Sequence, residues 1–381
     1  MSEEEVPAWR DAPPWLMEEM VASEPALARA TAGCRESAER LADRLRAAVA
    51  NGEPIVVTGC GTSEHGARAI GDLLEAALRA QGQPGGRVVV RQALEAALDP
   101  RGGLCIGVSH DGATRATILA LEANRAAGGT TALITGRAGA PAAAVADELC
   151  VTPLRDRSWC HTVAYLSSIL IGGLVADALG GSGEPRLDLP ALGDYVEATL
   201  ALRAQADAIA AALHGSAYLI ASGLGSDVGV ARELALKVEE GVRTPATLRD
   251  AETLLHGHLA ACDQHTGVVM FATDPRNGER AKRRLVLAAQ AARRVGAQVA
   301  AIVSPECAQM IPSAVTTAGQ LVLPAGEGLP PLLAALTGPA VAAQMVTLGL
   351  IERVGVNPDW IRREQEPYRA AAAIAEGAAD W

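Results

Sequence analysis

One phenylalanine, four tyrosines and five tryptophans are all the aromatic side chains in 381 residues. A core built on stacked rings is excluded, and alanine, valine and leucine must fill the interior. Lysine is nearly absent as well: of 33 basic residues only Lys237 and Lys282 are lysines. Where arginine fills almost every cationic role, each lysine raises the question of what a guanidinium could not do there. No long basic run offsets the formal net charge of −11, which argues against a nucleic-acid partner held through its phosphates. The seven cysteines show no CxxC spacing and read as reduced thiols, neither a disulfide framework nor a zinc site. The opening MSEEEVPAW has neither the basic region nor the apolar core of a signal peptide, and no apolar run reaches membrane-span length without interruption. The expectation is a soluble, cytoplasmic protein with a small-molecule partner, no membrane and no nucleic acid.

With 49% hydrophobic and 20% charged residues, a chain of this length suits two domains of ordinary size. Residues 1–45 carry leucine and alanine at helical spacing and predict an N-terminal helical segment. From residue 54 a βαβ rhythm begins, with PIVVTGCG, RVVVRQ, LCIGVSHDG, TTALITG and ELCVTPL as short strands between helices. A turn-rich stretch at 180–193, GGSGEPRLDLPALG, reads as a linker. The rhythm then restarts in SAYLIASGLG, TGVVMFATD, AQVAAIVSPE and QLVLPAGE. Each half opens on a strand ending in a Gly-x-Gly turn, GCGTS and SGLGSD, the mark of an internal duplication. The expected architecture is α/β, with two doubly wound parallel-sheet domains in tandem at 46–182 and 196–346 and a polar tail at 347–381.

Two hydroxyl-bearing turns follow strands of the first half. In GCGTSEHG, Thr62 and Ser63 fall at a helix N-terminus, where a plain cap is the alternative to ligand binding, and the glycine spacing does not match a GxGxxG fingerprint. In SHDGAT, Ser109 and Thr114 flank a glycine turn on what would be a neighbouring strand, so both turns can face one polar ligand. Asp111 sits awkwardly there for an anion. It could cap a helix beginning near Gly112 and pair with Arg115. It could tolerate a phosphate, at a cost of roughly 1–4 kcal/mol, if His110 or Arg115 offsets it. Or the group it meets could be a hydroxyl or an ammonium.

The second half supplies titratable groups. In SDVGVARELALKVEE, Glu233, Lys237 and Glu240 share a helix face, either as an exposed ion-pair ladder or as site residues. His256 and His258 flank Gly257; such a pair can bind metal, but no third ligand stands at the right spacing, so no metal or cofactor is expected. Cys160 and His161 are adjacent and would not face each other as a nucleophilic dyad.

Together these features resemble the sugar isomerase (SIS) family of flavodoxin-like tandem domains, in particular the isomerase half of glucosamine-6-phosphate synthase and related phosphosugar isomerases and deaminases. The likeness rests on LMEEMVASEPALA, GCGTS, SHDGAT, and ARELALKVEE followed by LLHG. It implies that Thr62, Ser63, Ser109, His110, Asp111 and Thr114 bind the substrate. It further implies that Glu240 moves a proton between C1 and C2, that Lys237 lies beside it, and that His256 assists ring opening, in many such sites from the neighbouring subunit of a homodimer. The implied activity is aldose–ketose isomerisation, or deaminating isomerisation, of a sugar phosphate or amino sugar, without a glutaminase segment. The alternative is a non-catalytic, regulatory sugar-phosphate-binding protein. Three departures stand out: no lysine follows Lys282, so the family's C-terminal lysine has no counterpart and Glu366 falls near its place; HGP is HGH; and the phosphate loop carries Asp111 for serine.

Overall fold

The computed structural model describes residues 6–180 and 186–377. Five strands, β1 (Ile55–Gly59), β2 (Val88–Gln92), β3 (Leu104–Val108), β4 (Thr130–Thr135) and β5 (Glu148–Val151), form a first sheet in the order β2-β1-β3-β4-β5. Five more, β6 (Tyr218–Ser222), β7 (Ala246–Leu248), β8 (Thr266–Ala272), β9 (Gln298–Val303) and β10 (Gly319–Val322), form a second in the order β7-β6-β8-β9-β10. All pairings are parallel, and each sheet counted from its own first strand has one and the same order. The duplication seen in the two Gly-x-Gly turns therefore extends to topology. Every residue of β1, β3 and β8 is buried, as strands covered by helices on both faces must be. Only β7 has no sequence signal: three residues after Pro245 leave too short a pattern to register.

Two helices, Val163–Gly180 and Pro331–Val354, are long and apolar enough to cross a membrane, which corrects the expectation that no run reaches that length. Both are interior helices: the whole apolar window of the second is buried, as is most of the first, and their side chains join one continuous core. Two of the expected domain limits lie within helices. The boundary at 346 falls inside Pro331–Val354, and that at 45 inside the helix Arg35–Ala50. Within the expected linker, 181–185 lie outside the described residues, whereas the helix Leu189–Leu200 begins at once after Asp188, whose carboxylate accepts from the Ala191 amide at 2.9 Å.

The chain ends meet. Trp15 precedes the helix Leu16–Ala22 and has no side-chain oxygen to cap it. The buried carboxylate of Asp359 does so instead, accepting from the amides of Leu16 at 2.8 Å and Met17 at 2.9 Å. Asn357 donates to the Arg10 carbonyl, the Trp159 amide donates to the Asp359 carbonyl, and Trp360 packs against Trp9 and Trp159. The N-terminal segment, the loop after β5 and the C-terminal tail are thereby held as one rim.

Candidate functional site

In a sheet of order 2-1-3-4-5 the ligand crevice opens at the carboxyl ends of the first and third strands, where the winding reverses. The turns GCGTS and SHDGAT leave β1 and β3 at that point. A cleft of about 560 Å³ lies there, bounded by Cys60–Ser63, by His110, Asp111 and Thr114, by the loop Arg155–His161, by Glu240, and by Ile361 and Arg363 of the tail.

The first turn starts the helix Thr62–Ala80, but Gly61 is its cap and no side chain caps it. Ser63 faces the cleft, and the buried Thr62 hydroxyl turns to Glu233 Oε1 at 3.2 Å. In the second turn Ser109 is buried beneath the loop and donates to Thr114 Oγ1 at 3.2 Å. Gly112 must be glycine: its φ is +64°, and a Cβ there would stand 2.3 Å from that of Ala140. Asp111 does not cap a helix, because the next one, Arg115–Ala126, begins three residues further on than expected; its Oδ1 closes the turn onto the Ala113 amide at 3.0 Å. Arg115 is exposed and faces Glu122 at 3.8 Å, so it gives Asp111 no support.

The helix Asp227–Lys237 runs into a π-helical turn, Val238–Val242, a widening that recurs at functional sites. Glu233, Lys237 and Glu240 share a face as expected, but they form no exposed ladder. Lys237 is 2% exposed and bonds the Glu240 carboxylate, with Glu233 Oε1 at 3.6 Å. Glu233 reaches across to the first half, where His65 Nδ1 lies 2.6 Å from its Oε2. Burial works against the Lys237 ammonium, yet Glu240 and Glu233 outweigh it and raise its pKa above the ordinary value. Glu233, for which burial is likewise opposed by Lys237 and His65, is held below the carboxylate range. Burial lifts Glu240 above that range against the pull of Lys237. Of these three side chains Glu240 lines the cleft, a carboxylate of elevated proton affinity on a fixed ammonium.

The loop after β5 contributes what sequence reasoning missed. Asp156 accepts from the amides of Thr162 at 3.1 Å and Ala164 at 2.7 Å, and burial raises its pKa. The rings of His110 and His161 pack at 4.6 Å, and burial lowers the pKa of both, so two neutral imidazoles line the cleft at pH 7. Cys160 is fully buried, its thiol pushed up by desolvation, and makes no dyad with His161. The RSWCH stretch was the available signal. His256 lies apart: it is 74% exposed, 3.1 Å from Glu252, and does not line the cleft. Glu366, exposed at the start of the helix Glu366–Gly377, does not line it either. Among the described residues no three side chains converge as metal ligands.

The matching crevice of the second sheet is filled by the chain itself. After β8, Asp274 turns back so that its Oδ2 accepts from the Ser226 amide at 2.7 Å, and a Cβ on Gly225 would stand 2.3 Å from that oxygen. Arg276 binds Asp274 at 2.8 Å and reaches Asp72 of the first half at 3.2 Å.

The SIS domain family model matches residues 213–314. No curated protein matches the chain. Among solved structures, the C-terminal domain of glucosamine-fructose-6-phosphate aminotransferase from Francisella tularensis superposes with a TM-score of 0.73 at 16% identity, covering 91% of this chain and 98% of that one. Tagatose-6-phosphate ketose/aldose isomerase from Escherichia coli gives 0.73 at 19%, covering 94% and 97%. Glucosamine-6-phosphate deaminase from Thermotoga maritima gives 0.61 at 18%, covering 91% and 97%. Residues 213–314 thus match the SIS domain family, and the chain as a whole shares the fold of these solved proteins.

Proposed function

We propose that the protein is an aldose–ketose isomerase, or an isomerising deaminase, acting on a sugar phosphate or amino sugar. The observation that carries this reading is Glu240: a carboxylate of raised pKa, anchored on Lys237, at the mouth of a polar cleft opposite the two hydroxyl-bearing turns. Proton abstraction beside a carbonyl needs a base whose proton affinity is near the working pH. Glu240 takes the C2 proton of an open-chain aldose while O1 is protonated, giving an enediol. It then returns the proton to C1 as O2 gives up its own. Lys237 holds the carboxylate in place and balances its charge. Ser63, His110, Asp111 and Thr114 line the cleft and hold the sugar, with Thr62 and Ser109 shaping the turns behind them. A second copy of the chain is part of this reading: His256 is exposed and outside its own cleft, where it is placed to serve a neighbouring copy in ring opening, beside the His110 and His161 already in the cleft.

The test is proton NMR in deuterated water over a panel of sugar phosphates and free amino sugars. Wild type is expected to convert one of them with deuterium entering at C2 or C1. Glu240→Gln is expected to lose about 10²- to 10⁴-fold in turnover with binding kept. Full activity in that variant overturns the role of Glu240. The position of His256 outside the cleft favours a second reading, a sugar-phosphate-binding protein without turnover, for which the panel would show binding and no conversion.

A further inference from the structure

The loop Ser109–Thr114 carries a negative charge, and neither cation expected to offset it does so. Burial keeps His110 neutral at pH 7, and Arg115 points away to Glu122. The cation that reaches this loop is Arg155. Its stem lies over Gly136: a Cβ placed on that glycine would stand 3.5 Å from Arg155 Cγ and 3.5 Å from His110 Cε1. Gly136 in turn donates its amide to the His110 carbonyl at 2.8 Å, so the Arg155 stem lies beside the cradle, and Arg155 lines the same cleft.

Three arginines line the cleft. Arg157 is paired with Glu19 at 2.6 Å, and Arg363 lies over the Trp159 ring at 4.7 Å. Arg155 has no ion pair among the described residues, and its buried Nε has no hydrogen-bond partner there. A desolvated donor without an acceptor is costly, and in a polar cleft a bound anion is the group that relieves it. A guanidinium offers phosphate or carboxylate a planar pair of donors that hydroxyls do not.

We propose that Arg155 is the anchor for the substrate's anionic group, and that Asp111 marks the end of the cleft that takes a hydroxyl or an ammonium. The anion is thus displaced from the hydroxyl-bearing loop toward the loop after β5. The assignment rests on the sugar reading above for the identity of the substrate, but not for the existence of the anion site.

Isothermal titration with glucose 6-phosphate, gluconate and glucose separates the phosphate, carboxylate and neutral cases. Wild type is expected to bind one anionic probe more tightly than glucose. Arg155→Ala is expected to weaken that probe about 10- to 100-fold, with Arg155→Lys intermediate and glucose unchanged. Glu240→Gln should bind the anion as wild type does. An anion affinity in Arg155→Ala or Arg155→Lys within about twofold of wild type overturns the anchor, as does a wild type that prefers neither anion to glucose. Loss of the anion on Arg155 substitution in a protein that converts no sugar supports the anchor and removes the isomerase reading. Turnover with unchanged anion affinity in Arg155→Ala does the reverse.

Discussion

His65 Nδ1 of the first half stands 2.6 Å from Glu233 Oε2 of the second, while Glu233 Oε1 faces Lys237 at 3.6 Å. The Glu233 charge is therefore shared between the halves, and it acts on Glu240 by raising its proton affinity. Glu233→Gln should lower the Glu240 pKa and move the acidic limb of the pH–rate profile to lower pH. A limb that stays in place would separate Glu233 from the site.

Lys237 is enclosed with two carboxylates. Lys237→Met leaves both without their ammonium, and such uncompensated burial costs about 3–5 kcal/mol, to be read from urea unfolding. Lys237→Arg should recover little of it, because a planar fork does not fit where a compact point charge serves two partners.

Asp227 is fully buried and its pKa is raised to about 6, first by burial and against hydrogen bonds from Thr273 and Asp274. Because the folded state keeps its proton longer than the unfolded chain, the contribution of this group is full below about pH 4 and declines as pH rises to about 6, a loss of about 3 kcal/mol. Asp227→Asn should flatten that part of the stability–pH curve in thermal melts taken from pH 4 to 7.

Asp359 caps a helix that begins far from it in sequence. Asp359→Ala should cost about 1–2 kcal/mol and speed amide exchange at Leu16 and Met17, leaving the strands of both sheets protected.

Asp274→Ala removes the acceptor for the Ser226 amide and one carboxylate from Arg276. The expected loss is about 2–4 kcal/mol, and added sulfate should restore part of it by entering the vacated place. A melting temperature indifferent to sulfate would show that the crevice collapses instead.

The two sheets, the hydroxyl-bearing turns and the Glu233–Lys237–Glu240 face were legible because each is local: a strand, a turn and a helix start within a dozen residues, or a helical repeat. Arg155 and His161 were not, because the loop that carries them has no periodicity and only tertiary placement beside Gly136 and His110 makes it part of the cleft. The contact of His65 with Glu233 lies across the two halves, beyond any spacing rule. Pro190 disguised a helix as a linker, although proline in a first helical turn is favourable, and the helix Leu189–Leu200 carries it there. The apolar length of Pro331–Val354 follows from burial on all sides, which composition does not distinguish from a lipid surrounding.

Asp274 gives the duplicated halves different fates. With its own carboxylate accepting from the Ser226 amide, the second half fills its crevice from within, whatever the first half binds. Arg276 carries that fixed state across to Asp72, on the helix that begins with Thr62. The self-filled crevice thus braces the open one through Arg276 and Asp72, and Glu240 reaches the open crevice from the half whose own crevice is closed.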